Sequence, residues 1–161
     1  MLFWPAGVAL GLVWQVFRDP AFDYRLLVVG ALLPDLLDAP FGGARWAHTL
    51  LGSVVALVVV MAATRGHRHA RRSLLALPIG MFAHLVADGM WARTKQFWWP
   101  FLGGELTGRI PGLDHGLTVL VLEELTGAAI VAWCWQRFRL TDPEVRRRFL
   151  RTGHLPRDIV G

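Results

Sequence analysis

Residues 74–91 read LLALPIGMFAHLVADGMW. This run is apolar except for His84 and Asp88, and its composition predicts a helix. The i, i+4 spacing places those two side chains on one face, one turn apart. An ionisable group inside an apolar segment costs at least a few kcal/mol in hydrocarbon, so such residues usually mark a site or an ion path. A His and a carboxylate stacked in this way can share a metal, or one can orient the other. The plainer alternative is a buried His–Asp hydrogen bond that ties two helices together.

Four further apolar stretches flank this one: Leu2 to Phe17, Leu26 to Leu37, Thr49 to Thr64 and Leu117 to Trp135. Across the 161 residues, 54% are hydrophobic and only 18% charged, with a mean hydropathy of +0.42. A water-facing surface needs more charge than that. The expected fold class is therefore all-α: a polytopic membrane helical bundle of about five transmembrane or partly re-entrant helices. Residues 1–140 form the integral membrane domain in this reading, and 141–161 form a basic cytoplasmic tail. Gly30 and Pro34 interrupt the second stretch, which predicts a partial or broken helix there. Leu2 to Phe17 lacks a basic leader and a cleavage pattern, so it reads as a retained membrane helix. Thr141-Asp142-Pro143-Glu144 resembles a helix start, and a short amphipathic helix on anionic lipid follows from it.

The net charge of +5 is carried almost entirely by arginine, because Lys95 is the only lysine. The arginines flank apolar runs, as cytoplasmic anchors do, so nucleic acid is not the expected partner. The loop 65–72 and the tail beyond Arg137 are the most basic segments, and two spans separate them. The positive-inside rule then places both in the cytoplasm, the amino terminus outside, and Pro40 to Ala47 and Ala92 to Gly116 on the outer side. The expected location is a bacterial-type inner membrane. The outer stretch with Trp98-Trp99-Pro100-Phe101 reads as an interfacial or re-entrant hairpin. Cys134 is the only cysteine, which rules out an intramolecular disulfide and a multi-thiolate metal site.

In this threading, ionisable residues gather on the outer face. Asp35 and Asp38 lie three apart, on one side of a helix end, and two close carboxylates repel unless a cation or a shared proton intervenes. Two solvated acids at a helix terminus are the alternative. His48 opens the third span; a neutral imidazole there can bind a divalent metal or simply be hydrogen-bonded. Asp114 and His115 open the last span, where His115 can act as a general acid or base and Asp114 as a helix cap. Of Glu123 and Glu124, the first lies closer to the face of His115. His67, His69 and His154 read as solvated, and Trp46, Trp98 and Trp99 as an interfacial belt.

Taken in order, Gly30-Ala31-Leu32-Leu33-Pro34-Asp35-Leu36-Leu37-Asp38, Ala47-His48-Thr49-Leu50, His84-Leu85-Val86-Ala87-Asp88 and Trp99-Pro100-Phe101 resemble a known family. It is the small bacterial membrane-bound metal-dependent hydrolases of the YdjM type. The resemblance covers about residues 26–101 and implies a metal site at Asp35, Asp38, His48, His84 and Asp88. Two departures stand out. The first pair of acids is three apart rather than two, and Gly43 occupies the position of the family's other histidine. His115 supplies that imidazole, or fewer metals bind, or catalysis has been lost.

The function expected from these observations is a metal-dependent hydrolase acting at the extracytoplasmic face on a lipid or lipid-linked phosphoester. One or two divalent transition ions (Zn, Mn or Fe) suit an oxygen- and nitrogen-lined site. Asp38 bridges a second ion or acts as base, His115 protonates the leaving group, and Arg45, Arg93 and Arg109 are candidates for holding phosphate. The alternatives are a proton or metal-ion relay and a non-catalytic membrane adaptor.

Overall fold

The computed structural model describes residues 1–103, 106 and 116–160. The chain is all-helical, with no β-strand among the described residues. The helices are α1 (Phe3–Phe17), α2 (Tyr24–Asp38), α3 (Leu50–Ala63), α4 (Arg68–Leu74), α5 (Ala76–Ala87), α6 (Thr94–Phe97), α7 (Gly116–Arg137), α8 (Pro143–Thr152) and α9 (Arg157–Val160). Single 3₁₀ turns occupy Ala39–Phe41, Trp46–His48 and Met90–Ala92. Every apolar stretch read from the sequence lies largely in a helix.

Two of those readings change in detail. The second stretch is not broken: α2 runs through Gly30 and Pro34 without interruption. Pro34 lacks the N–H that would bond the Gly30 carbonyl four residues earlier, so the helix forgoes one bond and continues. Gly30 serves helix packing instead. A Cβ there would strike the Leu77 backbone on α5, and one on Gly80 would strike the backbone of Leu27 and its neighbours on α2. The two helices cross with their main chains in contact, which only glycine allows. The run 74–91 divides, since α4 ends at Leu74, α5 ends at Ala87 and a 3₁₀ turn follows. Of the stretch read as an interfacial or re-entrant hairpin, residues 92–103 hold turns and the single-turn α6, while residues 104–105 and 107–115 lie outside the described residues.

α1 and α7 run parallel. Gly7 meets Gly127, and further along Trp14 stacks edge-on against Trp133 at 5.4 Å. At the start of α1 the Glu124 carboxylate accepts from the backbone N–H of Leu2, Phe3 and Trp4 at 2.9, 3.1 and 3.4 Å. It thereby satisfies amides that a helix start leaves unbonded.

The connections alternate between two ends of the bundle. At one end Arg72 pairs with Asp19 at 2.7 Å, the Tyr24 N–H donates to the Gly153 carbonyl, and the Leu155 N–H donates to that of Pro20. The segment 141–160 is thus docked: Leu155 and Ile159 are buried in the same core cluster as Tyr24, Leu27 and Phe138. Asp142 caps α8 as its sequence implies, accepting from the Glu144 N–H at 2.8 Å. At the opposite end lie the start of α1, the ends of α2 and α5, and the turn leading into α3. There the Trp4 Nε1–H donates to the Ala87 carbonyl at 2.9 Å.

Candidate metal centre

The acids and histidines meet at this second end. Asp35 projects from the last turn of α2, His84 from the last turn of α5, and Asp88 from the residue that caps that helix. His48 sits on the 3₁₀ turn before α3, which Thr49 opens by accepting the Gly52 N–H on its hydroxyl at 3.0 Å. Gly42, in the left-handed region at φ 74°, reverses the chain between α2 and that turn. Asp38 then gathers the loop back: its carboxylate accepts from the Arg45 N–H at 2.6 Å, the Ala47 N–H at 3.4 Å and the His48 Nδ1–H at 2.8 Å.

Both imidazoles have committed one nitrogen. His48 Nδ1 donates to Asp38, and His84 Nδ1 donates to the Ala31 carbonyl at 2.7 Å. Each Nε2 is therefore left as a lone pair in the neutral ring. These lone pairs face each other at 3.3 Å. His48 Nε2 is 3.3 Å from Asp35 Oδ1. His84 Nε2 is 3.3 Å from Asp88 Oδ2 and 3.7 Å from Asp35 Oδ1. One donor atom from each of these four residues lies within 4.8 Å of all the others.

With both rings neutral, four acceptors thus converge with no donor among them; the Met1 ammonium lies 3.4 Å from the outer oxygen Asp35 Oδ2, and Asp35 Oδ1 is left without a hydrogen bond. Burying such a group uncompensated costs on the order of 1–3 kcal/mol, more when it is charged. A cation at the centre resolves the conflict. A tetrahedral ion with arms of 2.0–2.1 Å has ligand–ligand edges of about 3.3–3.4 Å. Three of the observed separations match that edge length. Two carboxylates and two neutral imidazoles form an oxygen–nitrogen set suited to a divalent first-row ion. Protons can stand in for the ion. Burial opposes charge on His48, but hydrogen bonds to Asp35 and Asp38 outweigh it and raise its pKa to about 9.

Asp38 does not join the converging atoms. It stands behind His48 and orients the ring, so the expected bridging of a second ion has no support, and no other such group occurs among the described residues. Of the arginines expected near phosphate, Arg45 lies with its guanidinium 5.6 Å from the Phe41 ring, and Arg93 follows the 3₁₀ turn after Asp88. Arg109, Asp114 and His115 lie outside the described residues. The Ala31 carbonyl has no sequence signal at all, since any residue supplies one.

No family model, curated protein or solved structure matches this chain.

Proposed function

We infer that the chain is a membrane-embedded metal-dependent hydrolase with a single divalent ion held by Asp35, His48, His84 and Asp88. The observation that carries this reading is the convergence of four acceptors whose imidazole protons are spent elsewhere. The YdjM-type resemblance of the same residues adds to it.

The membrane assignment rests on exposed apolar surface. α7 has 22 residues and a hydropathy of 1.7, with only 11% of its most apolar window buried. At 1.5 Å per residue it is about 33 Å long, close to the thickness of a hydrocarbon core. Such low burial is unlike the core helix of a soluble protein. It is the one helix of that length among the described residues, while α1 and α3 are shorter apolar helices. Exposed valines and leucines along α3 add to the apolar surface. The alternation of connections supports the threading in which the basic end is cytoplasmic and the metal centre extracytoplasmic.

When bound, the ion lowers the pKa of a water toward neutrality and polarises a phosphoryl or acyl oxygen. The chain's own residues fix where this happens. Side-chain exposure is 0% for His48, 1% for His84, 3% for Asp88 and 21% for Asp35, so substrate approaches across Asp35. A site at a helix end, at the level of headgroups, fits a lipid or lipid-linked phosphoester. A relay would want polar groups continuing toward the far end. Between the two ends the core is Ala9, Leu10, Val13, Leu27 and Ala76, an apolar stretch that favours a one-sided site.

The test is turnover of a panel of lipid phosphoesters by zinc- or manganese-loaded protein in detergent. Release of product that chelation and Asp88→Asn both abolish is the expected result. A fully loaded protein that cleaves none of them contradicts the substrate class and favours a relay.

A further inference from the structure

The end of the bundle opposite the metal centre carries a second built feature. Thirteen arginines but only five acids fall in segments 18–25, 65–72 and 137–158. Most of those acids are already engaged: Asp19 with Arg72, Asp23 with Arg25, and Asp158 with Arg139. α8 exposes Arg146, Arg147, Arg148 and Arg151, and none of the four has an acidic partner among the described residues. Its Val145 and Phe149 pack into the core, so the helix lies flat with its basic side outward. Leu150, amid these arginines, is exposed, as suits a helix whose outer side touches an acyl boundary.

This helix is not a loose tail. The Arg25 guanidinium donates to the Leu150 carbonyl at 2.6 Å, and the chain after α8 is bonded to the loop before α2 at Tyr24 and Pro20. Beside it lies a cavity of about 310 Å³ lined by Leu10, Val28, Phe138 and Phe149, with Tyr24 and Arg25 also on its wall. Tyr24 is fully buried and its hydroxyl has no hydrogen-bond partner. At the same end Trp133, Trp135 and Phe17 are exposed, the aromatic content expected at a membrane–water boundary.

We propose that the arginine face of α8, together with this adjoining cavity, binds an anionic phospholipid, with the headgroup phosphate on the arginines and part of one acyl chain in the cavity. The proposal rests on the membrane reading above but not on the metal centre. Charge complementarity selects the headgroup, because uncompensated guanidinium groups bind phosphate strongly and in a directed geometry. The apolar cavity and the exposed leucine favour a lipid over a nucleic acid, which offers neither chain nor apolar surface. A bound headgroup also fixes this end at the anionic leaflet and leaves the metal centre at the opposite one.

The full chain, purified in a neutral detergent, is titrated with phosphatidylglycerol or phosphatidylcholine in mixed micelles, and lipid retained per chain is measured. Membrane embedding is read separately, as resistance to alkaline extraction, and metal content is recorded on the same samples. Retention of phosphatidylglycerol over phosphatidylcholine is expected. It should fall about tenfold or more in a variant carrying Arg146→Gln, Arg147→Gln, Arg148→Gln and Arg151→Gln, and fall again in high salt. The corresponding Arg→Lys variant, which keeps the charge but not the forked geometry, should retain more than the glutamine variant and less than the wild type, and metal content should not change in either. Equal retention of the two lipids, an unaltered glutamine variant, or displacement of phosphatidylglycerol by a short DNA duplex would each overturn the proposal. Loss of metal with lipid selectivity intact would count against the hydrolase alone, and extraction by alkali against the membrane reading.

Discussion

His48 is clasped between two carboxylates of the same helix: Asp38 Oδ2 lies 2.8 Å from its Nδ1 and Asp35 Oδ1 lies 3.3 Å from its Nε2. The first contact sets the ring and its tautomer, and the second puts a negative charge where the free lone pair points. Carboxylate–histidine–metal arrangements work in this way, the outer acid fixing orientation and raising ligand basicity. The two acids therefore have different jobs, and substitution should separate them.

Asp38→Asn is expected to weaken metal binding by about 10- to 100-fold while leaving the stoichiometry at saturation unchanged. His84→Ala should remove binding altogether. Competition against a chelator of known affinity distinguishes the two. An Asp38→Asn protein with wild-type affinity would show that the outer acid has no part in the site.

Metal affinity should rise with pH. Without metal, His48 holds its proton up to about pH 9, and the ion must displace that proton to reach Nε2. Below that pH, His48 alone contributes about one decade of apparent affinity per pH unit, and the dependence flattens above it. The same shift acts oppositely on the metal-free fold. The pKa is raised above its ordinary 6.5, so this stabilisation is fully present below about 6.5 and is lost as pH rises through about 9. Calorimetric titration in buffers of different ionisation enthalpy measures the protons released.

Gly30→Ala and Gly80→Ala should each destabilise the protein by about 1–3 kcal/mol, because a methyl group at either position meets backbone rather than a movable side chain. Gly11→Ala is the internal comparison: its nearest contact is the Ile130 side chain at 3.5 Å, an ordinary van der Waals distance. Thermal unfolding in detergent should show a loss for the first two and little change for the third. Equal effects would mean that the α2–α5 crossing does not limit stability.

Much of this arrangement was legible in the sequence, because helix geometry alone relates the residues concerned. Apolar run lengths marked the helices, and i, i+4 spacing put His84 and Asp88 together. The roles of Asp35 and Asp38 were not legible. Three residues along a helix means a rise of about 4.5 Å and a turn of about 60°, which is enough to put one acid before the His48 ring and the other behind it. Only the path of the loop 39–47 decides which is which. The continuity of α2 through Pro34 was hidden for a similar reason. Gly30 reads as a helix breaker until the approach of α5 gives it a packing role. The docking of 141–160 depends on Leu155 and Ile159 finding the core, two isolated apolar residues in a basic stretch that carry no periodic signal.

Asp35, His48, His84 and Asp88 are proposed to hold one ion. Elemental analysis of the detergent-purified protein beside His84→Ala tests it most directly. One equivalent of a divalent transition metal is expected in the wild type and none in the variant, with both proteins inserted and folded. Absence of metal from the wild type after reconstitution with zinc and with manganese, or full occupancy in both proteins, would contradict it.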